Sequence, residues 1–534
     1  MNRKDFLDMI VYQVYPRSFQ DSNGDGIGDL KGLKSRLDYL LALGVNAVWL
    51  CPCYKSPNYD NGYDISDYRA IAQDFGSLED WKDLIADMHE RGMKLIMDLV
   101  VNHTSSQHFW FEQARSSRDN PYHDYYIWAE KPLTNWSSVF RGSAWEYNEA
   151  TKEYYLHSFA IQQPDLNWEN PKVRQEACDI VDFWVDLGVD GFRCDVLDFI
   201  SKDFENNKMH NGPRLHEYIN QLFGREKVKD IFTIGECQSD EKSIADICGE
   251  NRGELTTVFQ FDHISFGRSN KYTPAPFSYE QIRDCLVKWQ YFAQENNLLY
   301  VLFTDNHDQP FYLSRLGNDK ELRYECATTF ATMFYTLKGI PFIYQGQEFG
   351  SVNSFYKNIS YFNDVETINY FNEQKDKKDI SHLINEINYG SRDNTRRPLA
   401  WTRDKNTNFG FSSGTPWIEM PSRAEEINLE NDLKNSKSIF AFYRKLLALR
   451  KQSDALRHGT FKDITAGEKD CFIFERELDK EKFTVVINFT KKKKLSVVKE
   501  LKKRAQILLC NYDSLSIFNN LRPFEIIVFY ENCK

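Results

Sequence analysis

Residues 183–195 read FWVDLGVDGFRCD: an amphipathic helical run, a glycine, a short apolar stretch and then a carboxylate. Gly188 is placed as the left-handed stop of a helix. A strand apolar at nearly every position is buried on both faces, so the segment reads as one α-turn-β unit of a parallel sheet. The same pattern recurs as YLLALGVNAVWL around Gly44, DMHERGMKLIMDL around Gly92 and YTLKGIPFIYQG around Gly339. Strand-like runs at Ile10–Tyr15, Phe232–Glu236, Val258–Asp262 and Tyr300–Thr304 bring the number to eight, which closes a (β/α)8 barrel. An open, doubly wound sheet is the alternative, and acids placed at several separate strand ends weigh against it.

Working outward, the pattern divides the chain. A first part of the barrel spans 1–103. The aromatic-rich tract from HFWFEQ to QPDLNWEN, too long for an ordinary βα loop, makes an inserted domain at 104–171. The barrel resumes over 172–455, with a long Asn-, Asp- and Gly-rich excursion after its eighth strand, from Gly350 to about Asn435. Short alternating strands (CFIFER, FTVVINF, EIIVFY) then predict a small all-β domain at 456–534.

Composition narrows the function. At 534 residues the chain can afford one large core with appendages. A formal charge of −11 argues against binding a phosphate backbone, and the basic run Lys491–Lys494 reads as a solvated edge or turn. Aromatic residues make up 15% of the chain, enough to supply flat faces for stacking on sugar rings. No leader-like apolar stretch opens the sequence and no apolar run reaches membrane-spanning length, so a cytoplasmic protein without a membrane partner is expected, a monomer or weak homo-oligomer. The eleven cysteines are scattered and several lie in apolar runs, as expected of reduced thiols; Cys51 and Cys53 lack a second pair at zinc spacing.

Three carboxylates carry the chemistry: Asp195 in GVDGFRCDVLDF, Glu236 in IFTIGEC and Asp308 in LFTDNHDQP, each where an apolar strand ends. A strand core rejects an unpaired charge, whereas the C-terminal mouth of a parallel barrel gathers catalytic groups from several strands. Paired carboxylates there suit cleavage of a glycosidic bond, one attacking the anomeric carbon and the other, kept protonated, serving the leaving oxygen. Arg193 lies on the same strand face as Asp195 and is expected to hold it ionised with a lowered pKa. Glu236, among Phe232, Ile234 and Gly235, is expected to be raised. His103 and His307 stand at strand ends as expected neutral donors to substrate hydroxyls. The loop DSNGDGIGDL offers Asp21, Asn23, Asp25, Ile27 and Asp29 for one structural Ca²⁺ or Mg²⁺; Gly32 stands where an EF-hand has its glutamate. No organic cofactor is expected, since GDGIG fails the dinucleotide spacing and no P-loop, HExxH or GxSxG motif is present.

These motifs resemble the α-amylase family of glycoside hydrolases, in its oligo-1,6-glucosidase and α-glucosidase branch. The likeness runs nearly end to end, through YQVYPRSFQDSNGDGIGDLKG, SPNYDNGYDISDY, HERGMKLIMDLVVNHTS, NPYHDYYIW, QPDLNWENPKVRQ, GFRCDV, NHDQP, PFIYQGQE, SRDNTRRPLAW and GFSSGTPW. It implies Asp195 as nucleophile, Glu236 as general acid/base, Asp308 as transition-state stabiliser, and retention of configuration. It implies that Tyr63, Asp64, His103, Phe159, Gln163, Arg193, His307 and Arg396 line the subsite of the non-reducing glucose, and that the terminal domain is a β-sandwich. Val196 resembles members that cleave α-1,6 bonds. Phe311, the Cys237-Gln238-Ser239 text and the short 201–211 segment depart from the branch on the leaving-group side. The expected activity is release of glucose from isomaltose-type oligosaccharides. The alternatives are action on sucrose, maltose, trehalose or trehalose-6-phosphate, or transglycosylation or isomerisation, on the same scaffold. A transporter heavy chain of amylase type is disfavoured, because the acids are present and a membrane segment is not.

Overall fold

The structure, a computed structural model, describes residues 3–237, 240–249, 253–490, 492–513 and 520–533. Its centre is an eight-stranded parallel sheet: β1 (Val11–Val14), β2 (Ala47–Leu50), β3 (Lys94–Leu99), β4 (Gly191–Cys194), β5 (Phe232–Glu236), β6 (Thr257–Phe259), β7 (Val301–Leu302) and β8 (Ile340–Tyr344). The strands follow one another around the ring, β1 pairing both β2 and β8, with the seam between β6 and β7. There the expected strands shrink, and the Thr257 hydroxyl donating to the Leu299 carbonyl at 2.7 Å bridges the gap that the ladder leaves. Bulky rings fill the barrel beside that seam, Phe259 standing edge-on to Phe303 and Phe342 with centroids 5.2 and 5.3 Å apart.

The four helix-ending glycines behave as their pattern predicts. Gly44, Gly92, Gly188 and Gly339 all take positive φ, at 107°, 71°, 103° and 152°. At Gly339 a side chain is also excluded by space, because a Cβ would lie 2.4 Å from the Tyr300 carbonyl oxygen. Between these stops and the strands, Trp49, Trp81 and Trp184 are fully buried, so helices and barrel share one continuous core.

Three appendages are built onto the barrel. The inserted tract forms a three-stranded antiparallel sheet with Glu153–Leu156 between Trp128–Ala129 and Trp145–Asn148. The excursion after β8 contributes helices Val365–Gln374, Ile380–Gly390 and Asp393–Arg396. The C-terminal region is a five-stranded antiparallel sheet of Thr460–Asp463, Cys471–Leu478, Glu481–Asn488, Glu525–Asn532 and Gln506–Cys510, in that spatial order. It also carries the helix Ser496–Arg504, which the alternating strand pattern did not announce and which buries only Val498 and Leu501. The boundary expected at 455/456 falls inside the short helix Asp454–His458. Two buried arginines tie sheet to barrel: Arg450 donates to the carbonyls of Leu337 and Leu456, and Arg476 to those of Thr336 and Leu456.

All eleven cysteines are unpaired. Among the described residues no helix is long and apolar enough to cross a membrane. Within the basic run, Lys493–Lys494 forms an edge strand paired to Asn520–Leu521, while Lys491 lies outside the described residues.

Candidate active site

At the C-terminal ends of β3, β4 and β5 one guanidinium organises three carboxylates. Arg193 is 2% exposed and lies at 2.6 Å from both Asp98 and Asp195, while its other terminal nitrogen bonds Glu236. Two aromatic faces, Trp49 and Tyr63, cover the guanidinium at 5.2 and 5.8 Å. Asp98 is further fixed by the Trp49 indole N–H at 2.8 Å.

The electrostatics depart from the sequence expectation in one respect. Burial raises Asp195 to about 7 despite Arg193, because that single cation is shared among three acids. The expected depression of Asp195 is therefore corrected. Glu236 is raised further, to about 8, again chiefly by burial, so the order of the two acids is as expected. Asp308 behaves oppositely. Burial works against its ionisation, yet the guanidiniums of Arg392 and Arg396, at 3.1 and 2.7 Å from Oδ1, hold it well below the usual carboxylate range. Of these three acids Asp308 is thus the one held ionised, while burial disfavours ionisation of Asp195 and Glu236.

Asp195, Glu236 and Asp308 all face a cavity of about 190 Å³, as do Tyr63, His103, Phe159 and Val196. His103 is pushed down to about 4 and His307 well below its ordinary value, both by burial, so both imidazoles are neutral. Gln13 donates to His307 Nδ1 at 2.8 Å, which leaves the ring proton on Nε2, 3.1 Å from Asp308 Oδ2. Tyr63 stacks on that ring at 5.1 Å.

Other expected residues lie elsewhere. Asp64 does not reach the cavity: its carboxylate accepts the amides of Tyr59 and Asp60 at 3.0 and 2.9 Å and closes their turn. Gln163 is fully buried behind His103, with Nε2 3.2 Å from Asp60. Arg396 is fully buried behind Asp308, and His307 likewise stands behind the wall. Sequence reasoning passed over several cavity-lining residues, among them the ion pair of Lys271 with Glu366 and, most directly, Asp60 and Arg392, which bridge each other at 3.1 Å. Both lie inside motifs already singled out, SPNYDNGYDISDY and SRDNTRRPLAW; with several Asp in one and three Arg in the other, spacing alone could not choose. Val196 has φ 36° and ψ 47°, an unusual conformation for a β-branched residue, which turns the chain sharply after Asp195. Phe311 is buried and caps the helix Tyr312–Leu316 rather than facing the cavity. Cys237 is buried beside Glu236, and Gln238 and Ser239 lie outside the described residues.

In the loop 21–29, Asp21 accepts the amides of Asn23, Gly24 and Gly26 and the Ser412 hydroxyl, Asn23 that of Asp25, and Asp25 that of Ile27. Asp29 accepts the Ser22 and Gly32 amides. Among the described residues no group of three His, Cys, Asp or Glu side chains forms a metal cage by itself.

The comparisons with known proteins agree with this geometry. The family model of the alpha-amylase catalytic domain matches residues 13–459. The oligo-1,6-glucosidase of Parageobacillus thermoglucosidasius is 44% identical, with 96% of each chain covered. Among solved structures, the trehalose-6-phosphate hydrolase of Bacillus licheniformis superposes with a TM-score of 0.91 at 37% identity, and isomaltulose synthase from Erwinia rhapontici NX5 with 0.91 at 36%, each covering 99% of both chains.

Proposed function

This chain belongs to the alpha-amylase family of glycoside hydrolases, and on that premise we propose that it is a retaining, exo-acting α-glucosidase that releases glucose from the non-reducing end of α-1,6-linked oligosaccharides. The observation that carries the reading is the Arg193 hub, which holds Asp195 and Glu236 on the two ends of one planar cation. Such a hub favours the short carboxylate separation, roughly 5–5.5 Å, of retaining enzymes over the ~6.5–9.5 Å of inverting ones. The Asp60–Arg392 bridge across the cavity supports exo action, because it bars a chain from extending past the terminal ring.

In this mechanism protonated Glu236 gives its proton to the glycosidic oxygen as the Asp195 carboxylate bonds to the anomeric carbon and the leaving sugar departs. Glu236, now ionised, takes a proton from water, which displaces Asp195 and restores the starting configuration. Asp308 stays ionised throughout and stabilises the positive charge that develops on the ring. Product analysis on isomaltose, maltose, sucrose, trehalose and trehalose-6-phosphate tests the reading; glucose released fastest from any of the last four in place of isomaltose overturns it.

Two groups poised near neutrality set a pH profile. Activity requires Asp195 ionised, so it rises with pH through about 7, and Glu236 protonated, so it falls through about 8. The kcat/KM profile is expected to be a narrow bell whose limbs belong to the coupled pair. In Glu236→Gln the residual activity should lose the alkaline limb; an alkaline limb that survives this change assigns it to another group.

Val196 borders both Asp195 and the cavity, and its branched side chain is expected to crowd an α-1,4-linked leaving sugar while tolerating the extra rotatable bond of an α-1,6 link. Val196→Ala or Val196→Thr should therefore raise kcat/KM on maltose relative to isomaltose by about 1–3 kcal/mol. An unchanged ratio places linkage choice elsewhere.

The loop 21–29 is assigned one divalent ion, Ca²⁺ or Mg²⁺, held by Asp21, Asn23, Asp25, Asp29 and the Ile27 carbonyl, with a structural role only. Its support is the spacing of these oxygens along one tight turn, in which Asp21, Asn23 and Asp25 each accept the amide two residues on. Chelation is expected to lower the melting temperature; no shift, with no metal on elemental analysis, means that hydrogen bonds alone close the loop. The eleven unpaired thiols favour a reducing cytoplasmic setting.

A further inference from the structure

The terminal sheet has two faces, and only one of them meets the barrel. Phe472, Phe474 and Val485 belong to the core that barrel and sheet share, whereas the alternate residues Ile473 and Val486 point to the other side. There the edge strand Lys493–Lys494 and the helix Ser496–Arg504 close a separate small core with Leu495, Val498 and Leu501. The helix is therefore held by its apolar side on the outer face of the sheet, and its polar side is turned away from the catalytic barrel.

That polar side is strongly cationic. Between positions 491 and 504 the sequence sets eight Lys and Arg against one acid, Glu500, in a chain whose overall charge is −11. Few of these charges are neutralised within the molecule. Lys493 reaches Glu468 at 3.0 Å, Lys503 reaches Glu500 at 3.0 Å and Arg504 reaches Glu531 at 3.2 Å. Lys492, Lys494 and Lys499 are exposed and, among the described residues, make no ion pair. Lys499, Lys502 and Lys503 stand three and four residues apart on one side of the helix, where like charges repel one another. Stability of the helix therefore gives no reason for the concentration.

We propose that this face docks the protein, without inserting it, on an anionic lipid surface. A cluster of about four to eight Lys and Arg on an amphipathic helix attracts anionic headgroups. Two observations favour a lipid surface over a nucleic acid. Seven of the eight cations are lysines, point charges without the forked geometry that grips a single phosphate. No aromatic residue lies between 491 and 504 on which a base could stack. Insertion is barred because Val498 and Leu501 are already buried against the sheet, so the contact is electrostatic alone. Acids elsewhere in the chain oppose it little, since salt screens charges more than about 8 Å away at physiological ionic strength. The expectation of no membrane partner rests on the lack of a spanning segment, which a surface contact does not need.

Co-sedimentation of the whole chain with vesicles of phosphatidylcholine, alone or with about one third phosphatidylglycerol, is the test. Binding is expected to the mixed vesicles only, and to vanish at about 0.5 M salt. Lys499→Glu combined with Lys503→Glu should weaken it by about tenfold or more. Lys131→Glu combined with Lys320→Glu, at exposed positions outside the patch, makes the same change in net charge and should leave binding as it is. Circular dichroism checks folding, and Lys499→Gln with Lys503→Gln repeats the comparison if charge reversal disturbs the helix. Wild type that stays in solution at low salt overturns the proposal, as does equal binding to both kinds of vesicle or an equal loss in the two charge-reversed pairs. Tighter retention on RNA than on the mixed vesicles at the same salt overturns it in favour of a nucleic acid.

Discussion

Asp195→Asn is expected to reduce kcat by on the order of 10⁴-fold or more on every glucoside, because the amide cannot form the glucosyl-enzyme bond and no neighbouring group stands in for it. Glu236→Gln should behave differently. Proton donation contributes about 10²–10⁴-fold, and only to the extent that the leaving oxygen needs a proton. Isomaltose, with its alkoxide leaving group, should lose nearly all activity, whereas p-nitrophenyl α-glucoside, whose phenolate departs unaided, should lose much less in the first step. Both substitutions keep shape and volume, and each removes a charge that burial already disfavours, so the fold should survive. Kinetics on both substrates, with circular dichroism on each variant, decide the matter. Asp195→Asn retaining activity within tenfold of wild type, or Glu236→Gln slowing both substrates equally, contradicts the division of roles.

The fold was legible because its signal is local and repeated. Each helix-glycine-strand unit announces itself within about a dozen residues, and Gly44, Gly92, Gly188 and Gly339 do take the positive φ that the pattern demands. Asp195 and Glu236 were legible for the same reason: a carboxylate closing a doubly buried strand costs desolvation that only a wet or charge-lined mouth can offset, whereas Asp308 stands six residues beyond the short strand Val301–Leu302. The second layer was less so. Asp60 and Asp64 lie four residues apart in one turn, and the choice between cavity and backbone depends on Asn61 and Gly62, both at positive φ, turning the chain between them. Arg392 and Arg396 bracket the short helix Asp393–Arg396, which sends the first to the cavity and the second behind Asp308. Asp98 offered no signal of its own; it reads as the tail of a buried strand until Arg193 comes across from the neighbouring one. The raised Asp195 was illegible in principle, since sequence shows that Arg193 is near but not that Asp98 and Glu236 compete for it.

That competition yields the other large expected effect. Arg193→Met should abolish activity and also destabilise the protein by about 3–5 kcal/mol at alkaline pH, because it leaves Asp98, Asp195 and Glu236 buried without their common cation. The loss should depend on pH in a definite direction. In the native protein these carboxyls already sit at about 6, 7 and 8, against roughly 4 for an unfolded chain. A carboxyl raised on folding contributes stability that is fully present below its unfolded pKa and is lost as pH rises through its folded one. Removing Arg193 lifts all three folded values further. The variant should thus approach wild-type stability near pH 4–5, where the three groups are neutral in both proteins, and fall progressively behind as pH climbs past 6. Urea unfolding of both proteins at pH 5 and pH 8.5 measures this. A difference of the same size at both pH values would mean that Arg193 acts through packing against Trp49 and Tyr63 rather than through charge, and the hub would then be a steric support and not the electrostatic centre of the site.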